Sequence, residues 1–222
     1  MNTEAKGYKG LGMEGPVATW YARNTGRNLK RFVDVARRVT ERVPAGSRVL
    51  EVAPGPGYLA IELAKTGRYR VTGIDISRTF VRIAGENASR AGVEIDFRHG
   101  NASRMPFADA SFDHVLCMAA FKNFADPLGA LDEMQRVLAP GGTASIHDLR
   151  KDAPLEAIDE EVRSMNLSRV SAAMTRWTFR HMLLKRAYPR EELLDMAARS
   201  RFGGGELHEQ GIGLELRLAK RR

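Results

Sequence analysis

Arg48-Val49-Leu50-Glu51-Val52-Ala53-Pro54-Gly55-Pro56-Gly57 is a short apolar run that breaks into a loop of alternating proline and glycine. The run is long enough for a buried strand and too short for a helix, and a helical stretch, Leu59–Lys65, follows the loop. A second strand is expected over Tyr69–Ile76, which completes a βαβ unit. The alternation then repeats, with a helix near Thr79–Arg90, strands near Val93–His99 and Phe112–Ala119, a helix at Pro127–Leu138 and a strand at Thr143–Asp148. Strands alternating with helices imply a mostly parallel sheet covered on both faces, so the expected fold is α/β and Rossmann-like, doubly wound.

On the N-terminal side, Leu29, Phe32, Val33, Ala36, Val39 and Val43 recur at helical spacing, and Pro44 and Gly46 end that helix. Before it, Gly7, Gly10, Gly12, Gly15 and Gly26, with Pro16 among them, make residues 1–26 read as a loop-like arm or lid. Beyond Asp148 the strands stop. Residues 153–187 read as a helical cap inserted after the fifth strand, and 189–222 as a helix followed by a hairpin over Glu206–Gln210 and Leu214–Ala219. The whole chain, 1–222, is expected to be a single domain with its ligand-binding core over 47–150.

The 222 residues are 43% hydrophobic and 28% charged, which argues against disorder and repeats. No apolar run is long enough for a membrane span, and MNTEAKGYKG has no signal-peptide core, so a soluble, cytoplasmic protein is expected. The single cysteine, Cys117, excludes an intramolecular disulfide and a cysteine-based zinc site, and no metal is expected. The net charge of +8 is uneven. Residues 1–48 carry ten basic and four acidic side chains, 49–147 ten and eleven, and 148–222 fifteen and twelve. Basic flanks could attract nucleic acid or an anionic substrate, although solvated helix faces are the preferred reading.

The loop at Glu51–Gly57, with Asp75 closing the next strand, marks a ligand site beyond the carboxyl ends of the strands, where an acid can accept from ribose hydroxyls. Gly55-x-Gly57-x-x-Ala60 formally fits a dinucleotide fingerprint. Pro54 and Pro56 each remove an N–H from the loop, however, and Glu51 adds a carboxylate, a poor setting for a diphosphate and a good one for a cationic ligand.

Residues 47–150 resemble the class I S-adenosylmethionine-dependent methyltransferases, in the small-molecule, type 11-like branch that includes quinone-biosynthesis enzymes. Glu51–Gly57 resembles the acidic, glycine-rich first motif, with Ala53 at the usual first glycine. Gly73-Ile74-Asp75-Ile76-Ser77 resembles the second, and Gly100-Asn101-Ala102 the adenine-contacting motif, with Asn101 in place of aspartate. Ser111–Asp113 with Val115–Met118 resembles the fourth, and Arg136–Gly142 the turn before the fifth strand. The resemblance implies a seven-stranded sheet with an antiparallel last strand and S-adenosyl-L-methionine as cofactor. It also implies a cofactor site formed by Tyr21, Glu51, Ala53, Gly55, Gly57, Tyr58, Asp75, Ile76, Asn101, Ala102 and Cys117, the last through its backbone.

The reaction it implies is in-line methyl transfer to O, N, S or C of a small-molecule acceptor, which positioning can largely accelerate. His147 and Asp148, ending the fifth strand, are the candidate bases. His181, Tyr188, Lys122 and Asn123 are further acceptor-side candidates, and Tyr21 could lay its ring on the sulfonium. Met165, Met174, Trp177, Phe179, Met182 and Leu183 read mainly as core and otherwise as a pocket wall, while Arg163, Arg169, Arg176 and Arg180 would favour an anionic acceptor. The alternative is an RNA or DNA methyltransferase. It is disfavoured because no RNA-binding module is appended and Phe121-Lys122-Asn123-Phe124 lacks the Pro-Pro of amino-methylating enzymes. A dinucleotide oxidoreductase and a non-catalytic cofactor-binding subunit are the remaining readings. The chain is expected to be a monomer or homodimer.

Overall fold

The structure is a computed structural model and describes residues 7–9, 12–26, 29–165 and 167–221. Part of the arm, including Gly10, lies outside the described residues, as does the side chain of Met182. Seven strands form one sheet: β1 (Arg48–Val52), β2 (Arg70–Asp75), β3 (Asp96–His99), β4 (Phe112–Met118), β5 (Leu138–Leu149), β6 (Glu206–Gln210) and β7 (Gly213–Ala219). Their spatial order is β3-β2-β1-β4-β5-β7-β6. The first five run parallel, while β7 is antiparallel to β5 and to β6. The strand order reverses between β1 and β4, and there the carboxyl ends open a crevice.

Helices α2 (Lys30–Arg42) and α3 (Tyr58–Lys65) cover one face, burying Phe32, Val39, Leu59 and Leu63 against Val49, Val71 and Leu116. On the other face α5 (Pro127–Val137) and α8 (Arg190–Arg199) pack on Leu50, Val52, Val115 and Ile146. Local chemistry sets the helix starts. Ser77 Oγ accepts from Phe80 N (3.0 Å) at the head of α4 (Arg78–Arg90), and Asp126 Oδ1 accepts from Gly129 N (2.9 Å) ahead of α5, whose first residue is Pro127. β5 starts at Leu138, earlier than the expected Thr143, because Leu138 pairs with Phe112 of β4 and the Lys220 backbone pairs with Gly141 and Gly142.

Two expectations are corrected. The arm is not wholly loop-like: residues Gly15–Thr25 form helix α1, which Pro16 helps to start because a proline in the first turn forfeits no hydrogen bond. Ala18 and Ala22 bury against Phe80 and Ile83 of α4. Beyond β5, α6 (Leu155–Ser164) buries Ile158 and Val162 as a core helix should, but α7 (Arg169–Thr178) buries nothing fully. Of the apolar set assigned there to core, Phe179 is buried while Met174 and Trp177 are 69% and 56% exposed.

Between the sheet and α2 lies a polar layer. His114 Nδ1 bonds Thr143 Oγ1 (2.9 Å) and its Nε2 meets Ser145 Oγ (3.3 Å), while His147 stands opposite Glu215, which pairs with Arg42 (2.6 Å) and Arg217 (2.9 Å). Burial drives both imidazoles down to about 4, and the charge of His147 adds to the fall of His114. Because the folded values lie below the unfolded one, the fold favours the neutral rings. Their contribution is complete above about pH 6.5 and is lost as pH falls toward 4, by up to about 3 kcal/mol per ring. Thermal midpoints measured across that range are expected to fall with pH, and to fall less steeply in His147→Gln; an equal slope would exclude His147 as a contributor.

Candidate cofactor site

At the end of β1 the chain makes three left-handed turns in five residues: Ala53 at φ 57°, Gly55 at 55° and Gly57 at 80°. Ala53 adopts this conformation despite its Cβ, at a cost on the order of 1–2 kcal/mol, and the Ala53 N–H donates to Ile74 O (2.8 Å). The two glycines do different work. A Cβ on Gly55 would meet nothing within 4 Å, so that position faces the open crevice. A Cβ on Gly57 would stand 2.9 Å from both Ala84 and Phe97, so Gly57 lets α3 approach α4 and β3 rather than admitting a ligand.

Every N–H of the loop is already engaged or missing. Gly55 N donates to Asp75 Oδ2 (2.9 Å), Gly57 N to Pro54 O (3.0 Å), and the two prolines have none. Asp75 Oδ1 accepts from Ser77 N (2.8 Å), so one carboxylate ties the first loop to the start of α4. Burial lifts Asp75 to about 6 against the pull of these two amides. Glu51, 2% exposed, points to the Ala60 amide at the head of α3, and burial pushes it up to about 8, with the nearby Asp75 adding to the rise. Its Oε2 has no hydrogen-bond partner. A buried carboxyl with an orphaned oxygen beside a second buried carboxyl is a setting for a cation, and each carboxylate keeps lone pairs for ligand hydroxyl or ammonium groups. A sulfonium nucleoside carrying an ammonium fits this donor set; a diphosphate, deprived of loop amides and facing two acids, does not.

The arm crosses the mouth of this crevice. Lys9 N donates to Asn123 O (2.7 Å), Ala125 N to Gly7 O (3.3 Å), and Tyr8 bridges to Phe124. Gly7 lies so close to Ile76 and Asn101 that a Cβ would stand 2.4 Å from the Ile76 side chain. Asn101 Oδ1 accepts from Ser103 N and Oγ (both 3.0 Å), which holds its amide at the turn. Burial raises the Tyr8 phenol, with the charges of Asp75 and the neighbouring Tyr21 contributing and Arg186 opposing. Farther along, Glu14 accepts from Arg78 N (2.9 Å) and Thr79 N (3.1 Å), placing a carboxylate on the positive end of α4 and stapling the arm down.

The crevice therefore gathers Glu51, Ala53, Gly55, Asp75, Ile76 and Asn101, with Ala102 half-buried beside them against the core. Other candidates sit differently. The ring of Tyr21 packs edge-on against Phe80 (centroids 5.8 Å apart), and Tyr58 packs on Phe32 while its hydroxyl donates to Ala22 O (2.9 Å), pinning α1 to α3. Cys117 is fully buried between Val52 and Ile146, its thiol raised well above the ordinary range by burial. His147 and Asp148 were expected to face the site together, but neighbours on a strand point to opposite faces. His147 enters the layer under α2, whereas Asp148 takes a part-buried ion pair from Lys122 and accepts from Lys122 N (3.2 Å). Tyr188 accepts from Lys9 Nζ (2.6 Å) and lies 6.0 Å from the Phe121 ring, while His181 lies against Trp177. Tyr8, Lys9 and Glu14 escaped the sequence reading, since nothing in a glycine-rich arm indicates where it lands.

Strand order, glycine loop and paired acids are those of a Rossmann-like α/β fold with a crevice at its switch point. Residues 50–146 match the family described as "Methyltransferase domain". The chain is similar to the demethylmenaquinone methyltransferase of Deinococcus radiodurans, 44% identical over 96 residues, which covers 43% of this chain and 40% of that protein. It is also similar to the 27-O-demethylrifamycin SV methyltransferase of Amycolatopsis mediterranei, 33% identical over 143 residues, covering 60% and 53%. The chain spans about half the length of the curated relatives it matches. Among solved structures, a SAM-dependent methyltransferase from Aquifex aeolicus superposes with a TM-score of 0.63 at 16% identity, covering 86% of this chain and 98% of that one. The [4+2]-cyclase SpnF shares the fold with a TM-score of 0.55 at 20% identity, covering 97% and 86%.

The two loop glycines give a contrast. Gly57→Ala, strained in φ and colliding with Ala84 and Phe97, is expected to lower the thermal midpoint clearly more than Gly55→Ala, which bears only the φ cost of about 1 kcal/mol. Equal losses in differential scanning calorimetry would mean that Gly57 does not mediate the packing of α3 on α4.

Proposed function

We propose that the crevice binds S-adenosyl-L-methionine and that the chain transfers its methyl group to a small-molecule nucleophile. The observation that carries this reading is the loop's exhausted N–H inventory beside an orphaned buried carboxyl. Asp75 would hold the ribose hydroxyls, Glu51 the cationic end, and Ile76 and Asn101 the base, with Gly7 over them. When bound, the cofactor supplies the activated methyl carbon and its own leaving group. What the protein adds is alignment and exclusion of water. On the acceptor side the chain offers Phe121, Tyr188, Lys9 and the Lys122–Asp148 pair; Asp148, fixed by Lys122, positions its surroundings. The small-molecule class is favoured by relatives that act on a quinone precursor and a rifamycin. Sharing a fold with a cyclase makes methyl transfer itself something to be measured.

Calorimetry is expected to detect S-adenosylmethionine and S-adenosylhomocysteine and no nicotinamide dinucleotide, with Asp75→Ala weakening binding about ten- to a hundredfold. Dinucleotide binding, or unchanged affinity in Asp75→Ala, would overturn the assignment. Label from the methyl group should reach small acceptors and not RNA or DNA.

A proton linkage follows from Glu51. Its ligand-free value near 8 means that it is largely protonated at neutral pH, and a cation beside it lowers that value. Binding then releases a proton, and affinity rises with pH to a plateau above about 8. Calorimetry in buffers of different ionisation enthalpy should register that release in the native chain and not in Glu51→Gln; an identical signal in both would show that Glu51 does not face the cation.

A further inference from the structure

Helix α7 is amphipathic in the inverted sense. Ala172 and Phe179 face inward, packing with Ile158, Val162, Leu184 and Ile212. At about 100° per residue, Val170, Met174 and Trp177 fall within a sector of about 60° on the opposite side. They are 80%, 69% and 56% exposed. The most apolar side of this helix is thus turned away from the protein.

Charge accompanies the patch. From Arg163 to Arg190 the chain carries seven Arg and Lys and no Asp or Glu. Arg176 pairs with Asp159 of α6 and Arg190 with Glu209. Arg163, Arg169, Arg180, Lys185 and Arg186 have no ion-pair partner among the described residues, and all are exposed. The exposed acids nearest in sequence are Glu160 of α6 on one side and Glu191 and Glu192, in the first turn of α8, on the other. No helix among the described residues is long and apolar enough to cross a membrane.

We propose that α7 lies in the headgroup layer of an anionic lipid bilayer, with Val170, Met174 and Trp177 inserted and the flanking cations on lipid phosphates. A nucleic acid would use the cations and leave the apolar stripe wet. A purely apolar protein partner would gain nothing from five unpaired cations. Only an anionic interface satisfies both, and an indole belongs at headgroup depth. Ala187 and Tyr188, near the end of this segment, connect it to the acceptor side of the crevice, where Tyr188 meets Lys9. The proposal is independent of methyl transfer, because its readout is attachment to lipid.

The test is flotation of the full chain with phosphatidylcholine vesicles with or without phosphatidylglycerol. Attachment is expected only with phosphatidylglycerol, decreasing as salt rises, with a blue shift of Trp177 emission in a Trp20→Phe background. Val170→Ser/Met174→Ser/Trp177→Ser should weaken attachment at least about tenfold, and Arg169→Glu/Arg180→Glu likewise; these side chains are exposed, so the fold is expected to survive. No attachment to either vesicle overturns the proposal. So does equal attachment of native chain and variants, RNA binding without lipid binding, or dimerisation through the patch in place of vesicle binding.

Discussion

One carboxylate bonds together parts of the chain that share no strand pairing. Asp75 accepts from Gly55 on one side and Ser77 on the other, so the loop after β1 and the start of α4 take their positions from a single buried group. Ser77 in turn caps α4 through Phe80 N and donates its hydroxyl to Met13 O, carrying the connection into the arm. An acid buried in this way costs desolvation that two amides only partly offset, and its raised protonation threshold is the measure of that cost. The arrangement makes chemical sense with a polar or cationic guest beside it.

Glu51 obeys the same constraint from the other side. The start of α3 is where an unattached phosphate would normally find free N–H groups. Here a protein carboxyl occupies that position. One acid and two prolines thus leave this loop poorly suited to an anion, with the sheet unaffected.

The sheet was legible because its evidence is local. Apolar runs bounded by glycine and proline gave five parallel strands to within a few residues, and the alternation of Leu214, Leu216 and Leu218 gave the returning one. The loop's preference against a diphosphate was also legible, since it rests on residue types. What escaped depends on distance in sequence. That Gly57 serves helix packing requires Ala84 and Phe97, and that Tyr58 pins α1 requires Ala22. Pro16 was taken for a breaker because position within a helix decides its effect. His147 and Asp148 show a different failure: both end the right strand, but the pleat sends them to opposite faces.

The strap formed by Gly7–Lys9 has one more consequence. It is fastened to Asn123 and Ala125 on one bank and pressed on Ile76 and Asn101 on the other, with Tyr188 holding Lys9. The strap thus spans the crevice from one bank to the other. A guest bound beneath it would couple its arrival and departure to a local opening of Gly7–Lys9, and its dwell time would become a property of a few backbone hydrogen bonds far from any reacting atom.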